Sequence, residues 1–211
     1  QQKGLFLGEV HEWNEHNRKG NRENERIAEL DDALLQHNGG SWFDPPQKLS
    51  WTRAHEKQRN AIIADFESAG VPVWGFKEPR ALLTMPFWQA ALTDLEFVGT
   101  YRHPYLVAKS LQRRDSMPVD YAVGLWEAYN NRMLSLYEQA SFPVVSFDLD
   151  GEEYLRQVNA IATQLQLPAA SSKEIFLDLE LKNTLPDQAN EDISDSALRL
   201  YEKLRSLPVA L

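Results

Sequence analysis

The 211-residue chain contains no cysteine, which excludes disulfides, thiolate metal sites and a cysteine nucleophile. No apolar run approaches the roughly 20 residues that span a bilayer, and the N-terminal "QQKGLFLGEVHEWNEHN" turns polar too soon for a signal peptide. A soluble, cytoplasmic protein without a membrane span is expected. Positive charge is scarce: 22 Lys and Arg against 31 Asp and Glu give a net charge of −9. A general nucleic-acid surface needs a basic stripe or face, so no nucleic-acid partner is expected and any anion must be met by a local cluster. Also missing are a Walker P-loop, a G-x-G-x-x-G sequence and a G-x-S-x-G elbow. His11, His16, His37 and His55 have no zinc-like spacing, so no metal site is expected. His37 should be exposed at a helix end, and His11 and His16 should lie in a polar loop. The sequence holds no internal repeat and no low-complexity linker. It begins without methionine, and residues preceding Gln1 are expected.

What is present is the composition of a folded protein: 43% apolar, 25% charged and 10% aromatic residues. A chain of this length supports one substantial core, so a single domain over residues 1–211 is expected. Ile27, Leu30 and Leu34 fall at helical spacing between Asn24 and Gln36, and "HNGG" should stop that helix with Gly39 and Gly40 at positive φ. A second helix is predicted from Thr52 to Ser68, ending at Gly70, and another around Pro86 to Leu92. Further helices are predicted after His103, from Val119 to Tyr137, after Leu149 with Leu155, Val158, Ile161, Ala162 and Leu165 inward, and from Asp192 to Leu204. Three apolar segments read as strands: "VPVWGF" (Val71 to Phe76), "LEFVGTY" (Leu95 to Tyr101) and "FPVVSFDL" (Phe142 to Leu149). Strands alternating with helices predict an α/β fold with a mainly parallel sheet covered on both faces.

Ligands of open parallel sheets bind beyond the carboxyl ends of the strands, where helices begin and amides point outward. Two cationic motifs occupy such positions. In "TYRHP", Pro104 suits the first helical turn, which puts Ser110 roughly 9 Å along the axis at ~1.5 Å per residue. Arg102 can span that distance and share one anion with the Ser110 hydroxyl, a pairing matched to phosphate. With equal weight, Arg102 only caps a carboxylate and Ser110 merely packs. In "FKEPR", Lys77 can point at a transferring group with Glu78 nearby for proton transfer. Alternatively, Lys77, Glu78 and Arg80 form a surface turn with weak ion pairs. The aromatic loop "SWFDPPQKLSW" offers Trp42, Phe43 and Trp51 as a wall for an acceptor, and the same side chains suit core packing equally.

Taken in order, "NRKGNREN", "GGSWFDPP", "VWGFKEPR", "FVGTYRHPYLVAKSLQRR", "LWEAYNNRML" and "FPVVSFDL" give a chain that resembles the bacterial-type PAPS-dependent sulfotransferases. The most specific element is the eight-residue spacing from Arg102 to Ser110 across a strand-to-helix junction. The resemblance implies a three-layer α/β/α, P-loop-kinase-like fold and sulfuryl transfer from PAPS to the hydroxyl or amine of a small-molecule or glycan acceptor. PAP is the implied product, and no metal is needed. It assigns Arg102 and Ser110 to the 3′-phosphate, Lys77 to the sulfuryl group and Glu23 to the role of base, with Glu78 as the other carboxylate in reach. Glu78 stands where the family more often has aspartate. The family's 5′-phosphosulfate loop, R-x-G-T-[ST], should precede Leu7 and Gly8 and is missing, so it is expected upstream of Gln1. Its absence keeps open a non-catalytic nucleotide-binding or interaction domain. A P-loop nucleotide kinase, which would need a Walker lysine upstream, is the third alternative.

Overall fold

The structure is a computed structural model, and it describes residues 5–10, 22–167, 186, 189 and 192–208. It divides into two compact units, residues 1–95 with 167–176 and residues 96–166 with 177–211. The first unit contains helices α1 (Glu25–His37), α2 (Arg53–Ser68) and α3 (Ala81–Gln89). The second contains β1 (Gly99–Tyr101), α4 (Pro104–Asp115), α5 (Val119–Ala140), β2 (Val144–Ser146), α6 (Gly151–Gln164) and α7 (Asp195–Arg205).

In the first unit the helix boundaries follow from their caps. The Asn24 side chain accepts from the Ile27 N–H, satisfying one of the donors left open at a helix start. Thr52 and His55 form a reciprocal capping box at α2. At the far end of α1, Gly39 takes a φ of 72°, the left-handed conformation that suits a glycine C-cap. Between these ends, Ile27, Leu30, Leu34, Ile62, Ile63, Phe66, Phe87 and Trp88 form one buried cluster. Each fully buried side chain of this kind contributes about 1.5–3 kcal/mol. The third helix begins at Ala81, well before Pro86, which lies inside it. Its first turn is closed by backbone bonds, Ala81 N–H to the Glu78 carbonyl at 3.1 Å and Leu83 N–H to the Arg80 carbonyl at 2.8 Å, and the Glu78 side chain accepts from the Arg80 N–H at 3.0 Å.

The segment Val71 to Phe76 differs most from its prediction as a buried strand. Among the described residues it forms only an isolated parallel bridge, Phe6 with Trp74, through Phe6 N–H to Val73 at 3.4 Å and Gly75 N–H to Phe6 at 3.0 Å. Pro72 has no N–H to give a ladder. Its aromatic residues pack sideways instead, Trp74 stacked on Phe66 at 4.8 Å and Phe76 against Trp88 at 5.0 Å.

In the second unit β1 and β2 pair in parallel, Gly99 with Val144, Thr100 with Val145 and Tyr101 with Ser146. Two of the predicted strands are therefore present but shortened, the first to its last three residues and the second to Val144–Ser146. Glycine at position 99 lets the strand lie close to its neighbours, since a Cβ there would stand 3.0 Å from Met133 Sδ and 3.1 Å from Phe142 and those side chains would have to give. Helices α4, α5 and α7 pack on one another. The buried face of α7 is Ala197, Leu200 and Leu204, and that of α5 includes Trp126 and Met133. Along α6 only Gly151 and Ile161 are fully buried, with Leu155, Val158, Ala162 and Leu165 half-buried. The chain thus has α/β character: it combines helices with a short parallel sheet. Among the described residues no helix is long and apolar enough to cross a membrane.

Candidate functional site

The charged turns noted in the sequence form two junctions, one in each unit. In the first unit, α1, the residue before its cap and the segment leading into α3 gather six ionisable side chains: Glu23, Asp31, Asp32, Lys77, Glu78 and Arg80. Lys77 Nζ donates to Glu23 Oε1 at 2.5 Å, joining residues 54 apart in sequence. The lysine side chain is 53% exposed and the glutamate 15%, so the pair sits at the rim. Behind it, the Glu78 side chain is wholly buried and accepts from the Arg80 guanidinium at 2.9 Å, while Arg80 Nε lies 2.9 Å from Asp32. Burial raises the Glu78 pKa, and its bonds to Arg80 oppose that rise. The reading of this turn as an exposed set of ion pairs therefore holds for Lys77 and fails for Glu78, whose backbone position beneath α3 takes its side chain inside.

Deeper still lies Asp31, fully buried. Its Oδ1 accepts from the Thr84 hydroxyl at 2.7 Å and from the Trp88 indole N–H at 2.9 Å. Burial pushes its carboxyl up to about 7, with the two hydrogen bonds pulling downward, Glu78 upward and Arg80 downward. The sequence held a signal for this residue. Asp31 shares the stripe of Ile27, Leu30 and Leu34, so it is a carboxyl on an apolar helix face.

In the second unit, Arg102 follows β1 and His103 caps α4, its Nδ1 accepting from the Tyr105 N–H at 3.2 Å. Asp148, two residues beyond β2, meets both: Arg102 Nε donates to Oδ1 at 3.1 Å and the His103 N–H donates to Oδ2 at 2.5 Å. A carboxylate at a helix N-terminus is favoured by the dipole and by the open N–H groups. The Arg102 guanidinium also lies over the Phe147 ring at 5.4 Å, and its carbonyl accepts from Trp126 Nε1 at 3.0 Å. Tyr201 packs edge-on against His103 at 4.7 Å. Burial, then the Asp148 charge, pushes the Tyr201 hydroxyl up to about 12.

The structure thus brings Glu23, Lys77 and Glu78 into one cluster. It turns Arg102 toward Asp148, the carboxylate-capping alternative of the sequence reading. Ser110 is the seventh residue of α4 and is exposed, so it does not pack. Of the other cations in that stretch, Lys109 bonds Gln112 at 2.9 Å and Arg114 bonds Asp115 at 2.8 Å. Lys19 and Gly20 of the "K-G-x-x-E" element, and His11 and His16, lie outside the described residues. Trp51 packs edge-on against Phe87 at 5.5 Å and donates to Glu56 at 3.1 Å, so it belongs to the core of the first unit. Phe43 is 46% exposed and meets Trp42 edge-on at 5.3 Å. Asp148 was missed because its partners lie 45 and 46 residues away. Among the described residues no group of three His, Asp or Glu is placed to hold a metal. No protein-family model, no curated protein and no solved structure matches this chain.

Proposed function

We propose that this chain is a PAPS-dependent sulfotransferase with a three-layer α/β/α, P-loop-kinase-like fold. The acceptor oxygen or nitrogen attacks the sulfur in line, the bond from sulfur to the phosphate oxygen breaks, and PAP leaves. Lys77 offsets charge developing on that bridging oxygen, and Glu23 takes the acceptor's proton. Arg102 and Ser110 receive the 3′-phosphate. The observation that most supports this reading is the Lys77 to Glu23 contact at 2.5 Å. It sets a cation and a proton acceptor side by side at an exposed rim, where a hydroxyl or amine can insert between them. Glu78 is the poorer base, because its side chain is wholly buried against Arg80.

A second reading, a non-catalytic nucleotide-binding or interaction domain, draws on Asp148. Its oxygens take Arg102 Nε and the His103 N–H, so the start of α4 already holds a carboxylate that a phosphate must displace. Calorimetric titration of the intact protein with adenosine 3′,5′-bisphosphate and with 5′-AMP tests the nucleotide role. Tighter binding of the bisphosphate is expected, and equal affinities remove the 3′-phosphate role of Arg102 and Ser110. Transfer of labelled sulfuryl from PAPS to a panel of phenols, amines and sugars separates the two readings. Bisphosphate binding without transfer selects the second.

A further inference from the structure

The junction between α1 and α3 holds four carboxyl groups, on Glu23, Asp31, Asp32 and Glu78, and two cations, Lys77 and Arg80. Glu23 has Lys77, while Asp32 and Glu78 share Arg80. Among the described residues Asp31 forms no ion pair with a cation: its hydrogen bonds come from a neutral hydroxyl and a neutral indole. Its second oxygen, Oδ2, is buried with no hydrogen-bond partner, and so is Glu78 Oε2. A buried carboxylate lacking a counter-ion favours its neutral form. In that form Oδ1 keeps both hydrogen bonds and the proton resides on Oδ2. In the ionised form the charge stands near the Glu78 carboxylate in a medium that screens poorly.

From these contacts we propose that Asp31 is a protonation switch: the neutral acid closes the junction between α1 and α3, and the carboxylate loosens it, along with the Glu23 to Lys77 pair at its rim. The groups around Asp31 support this. Thr84 and Trp88 face it from α3, which carries no ionisable residue. Glu78 and Arg80 face it from the segment before α3, Glu78 raising its pKa and Arg80 lowering it. On α2, the buried cation Arg59 is spent on the Phe87 carbonyl at 2.5 Å, and Asp65 is paired with Arg26. On α1 itself, Asp32 is held by Arg80. Burial dominates, and the group titrates at about 7. Thr84 ties the switch to the rim, since its hydroxyl also reaches the Arg80 carbonyl at 3.4 Å. Glu23 immediately precedes Asn24, the cap of α1, and Lys77 lies just before the start of α3. A shift between these helix starts therefore moves one partner of the rim pair against the other. The switch stands on this geometry alone, and only its effect on transfer rests on the proposed function.

The test is nuclear magnetic resonance of the intact protein labelled at aspartate Cγ and at nitrogen, from pH 4 to pH 9. Asp31 Cγ should titrate near 7 instead of near 3.8. The Trp88 indole resonance, assigned with Trp88→Phe, should shift with the same midpoint. The Lys77 Nζ signal should be sharp below that midpoint and broadened above it. Asp31→Asn should abolish both responses. Thr84→Val, which keeps the shape and removes a donor to the carboxylate, should move the midpoint higher and serves where Asp31→Asn fails to fold. An Asp31 carbon titrating near 4, a Trp88 or Lys77 signal unchanged across neutrality, or a midpoint unmoved in Thr84→Val would overturn the switch. None of these signals depends on bound nucleotide, so a failed bisphosphate titration leaves this outcome independent.

Discussion

At the start of α4 one carboxylate, Asp148, answers one arginine and one backbone N–H, whereas the middle of α1 and the segments before α1 and α3 place four carboxyls against two cations. The first junction in this comparison is matched in charge, and closing it needs no proton. The second is unmatched, and burial, with a smaller push from the Glu78 charge, raises its innermost carboxyl, Asp31, to about 7. A buried ionisable group is held either by a partner of opposite charge or by a change of protonation state, and this chain uses both devices.

The largest expected effect is on stability against pH. The folded pKa of Asp31 is raised from 3.8 to about 7, so the folded state binds more protons than the unfolded state between those values. Stability therefore falls as pH rises from about 4 to about 7 and levels off above that, by roughly 4 kcal/mol for Asp31 alone. Urea unfolding at pH 5, 6, 7 and 8 reads this slope, and Asp31→Asn should remove most of it. Glu78, raised in the same direction, leaves a residual slope of the same sign. Identical slopes in the two proteins would break the contrast between the junctions.

Next in size is Asp148→Ala, which strips the acceptor from Arg102 Nε and from the His103 N–H. A loss of about 1–3 kcal/mol in denaturant midpoint experiments is expected. Smaller again is the stability effect of Glu23→Gln. An ion pair with a half-exposed lysine is worth about 0–1 kcal/mol, yet sulfuryl transfer should fall by about 10²–10⁴-fold if Glu23 is the base. A rate unaltered by this substitution would remove Glu23 from the chemistry while leaving the junction intact. The smallest effect belongs to Lys203→Ala, which breaks a surface pair with Glu138 at 3.1 Å. It should shift stability within about 0.5 kcal/mol.

Much of the helical framework was legible in the sequence, because helix signals are local. Asn24 with Ile27 and Leu30 announces α1, and Thr52 with Gly70 brackets α2. Strand signals carried less information. "VPVWGF" has the composition of a strand, but a strand exists only if a neighbour offers a ladder, and here Phe6 supplies a single bridge. The third helix starts at Ala81, earlier than a proline-based reading predicts, because Pro86 is accommodated inside it. At the site level, Lys77, Glu78 and Arg102 stood out as charges at segment ends. Asp31 and Asp148 did not, since each takes its importance from residues more than 40 positions away.

By itself the sequence determined the absence of thiol chemistry, the acidic balance, the caps and apolar stripes of the helices, and the placing of cations where apolar segments end. Those properties depend on residue type and on spacing within one or two helical turns. Tertiary structure alone decided which carboxylate each cation meets: Glu23 for Lys77, Glu78 and Asp32 for Arg80, Asp148 for Arg102. It also decided that Asp31 forms no ion pair among the described residues and bonds Thr84 and Trp88 instead. Pairing and burial set the energy of a charge, and both are fixed by residues that only the folded chain brings within a few ångströms.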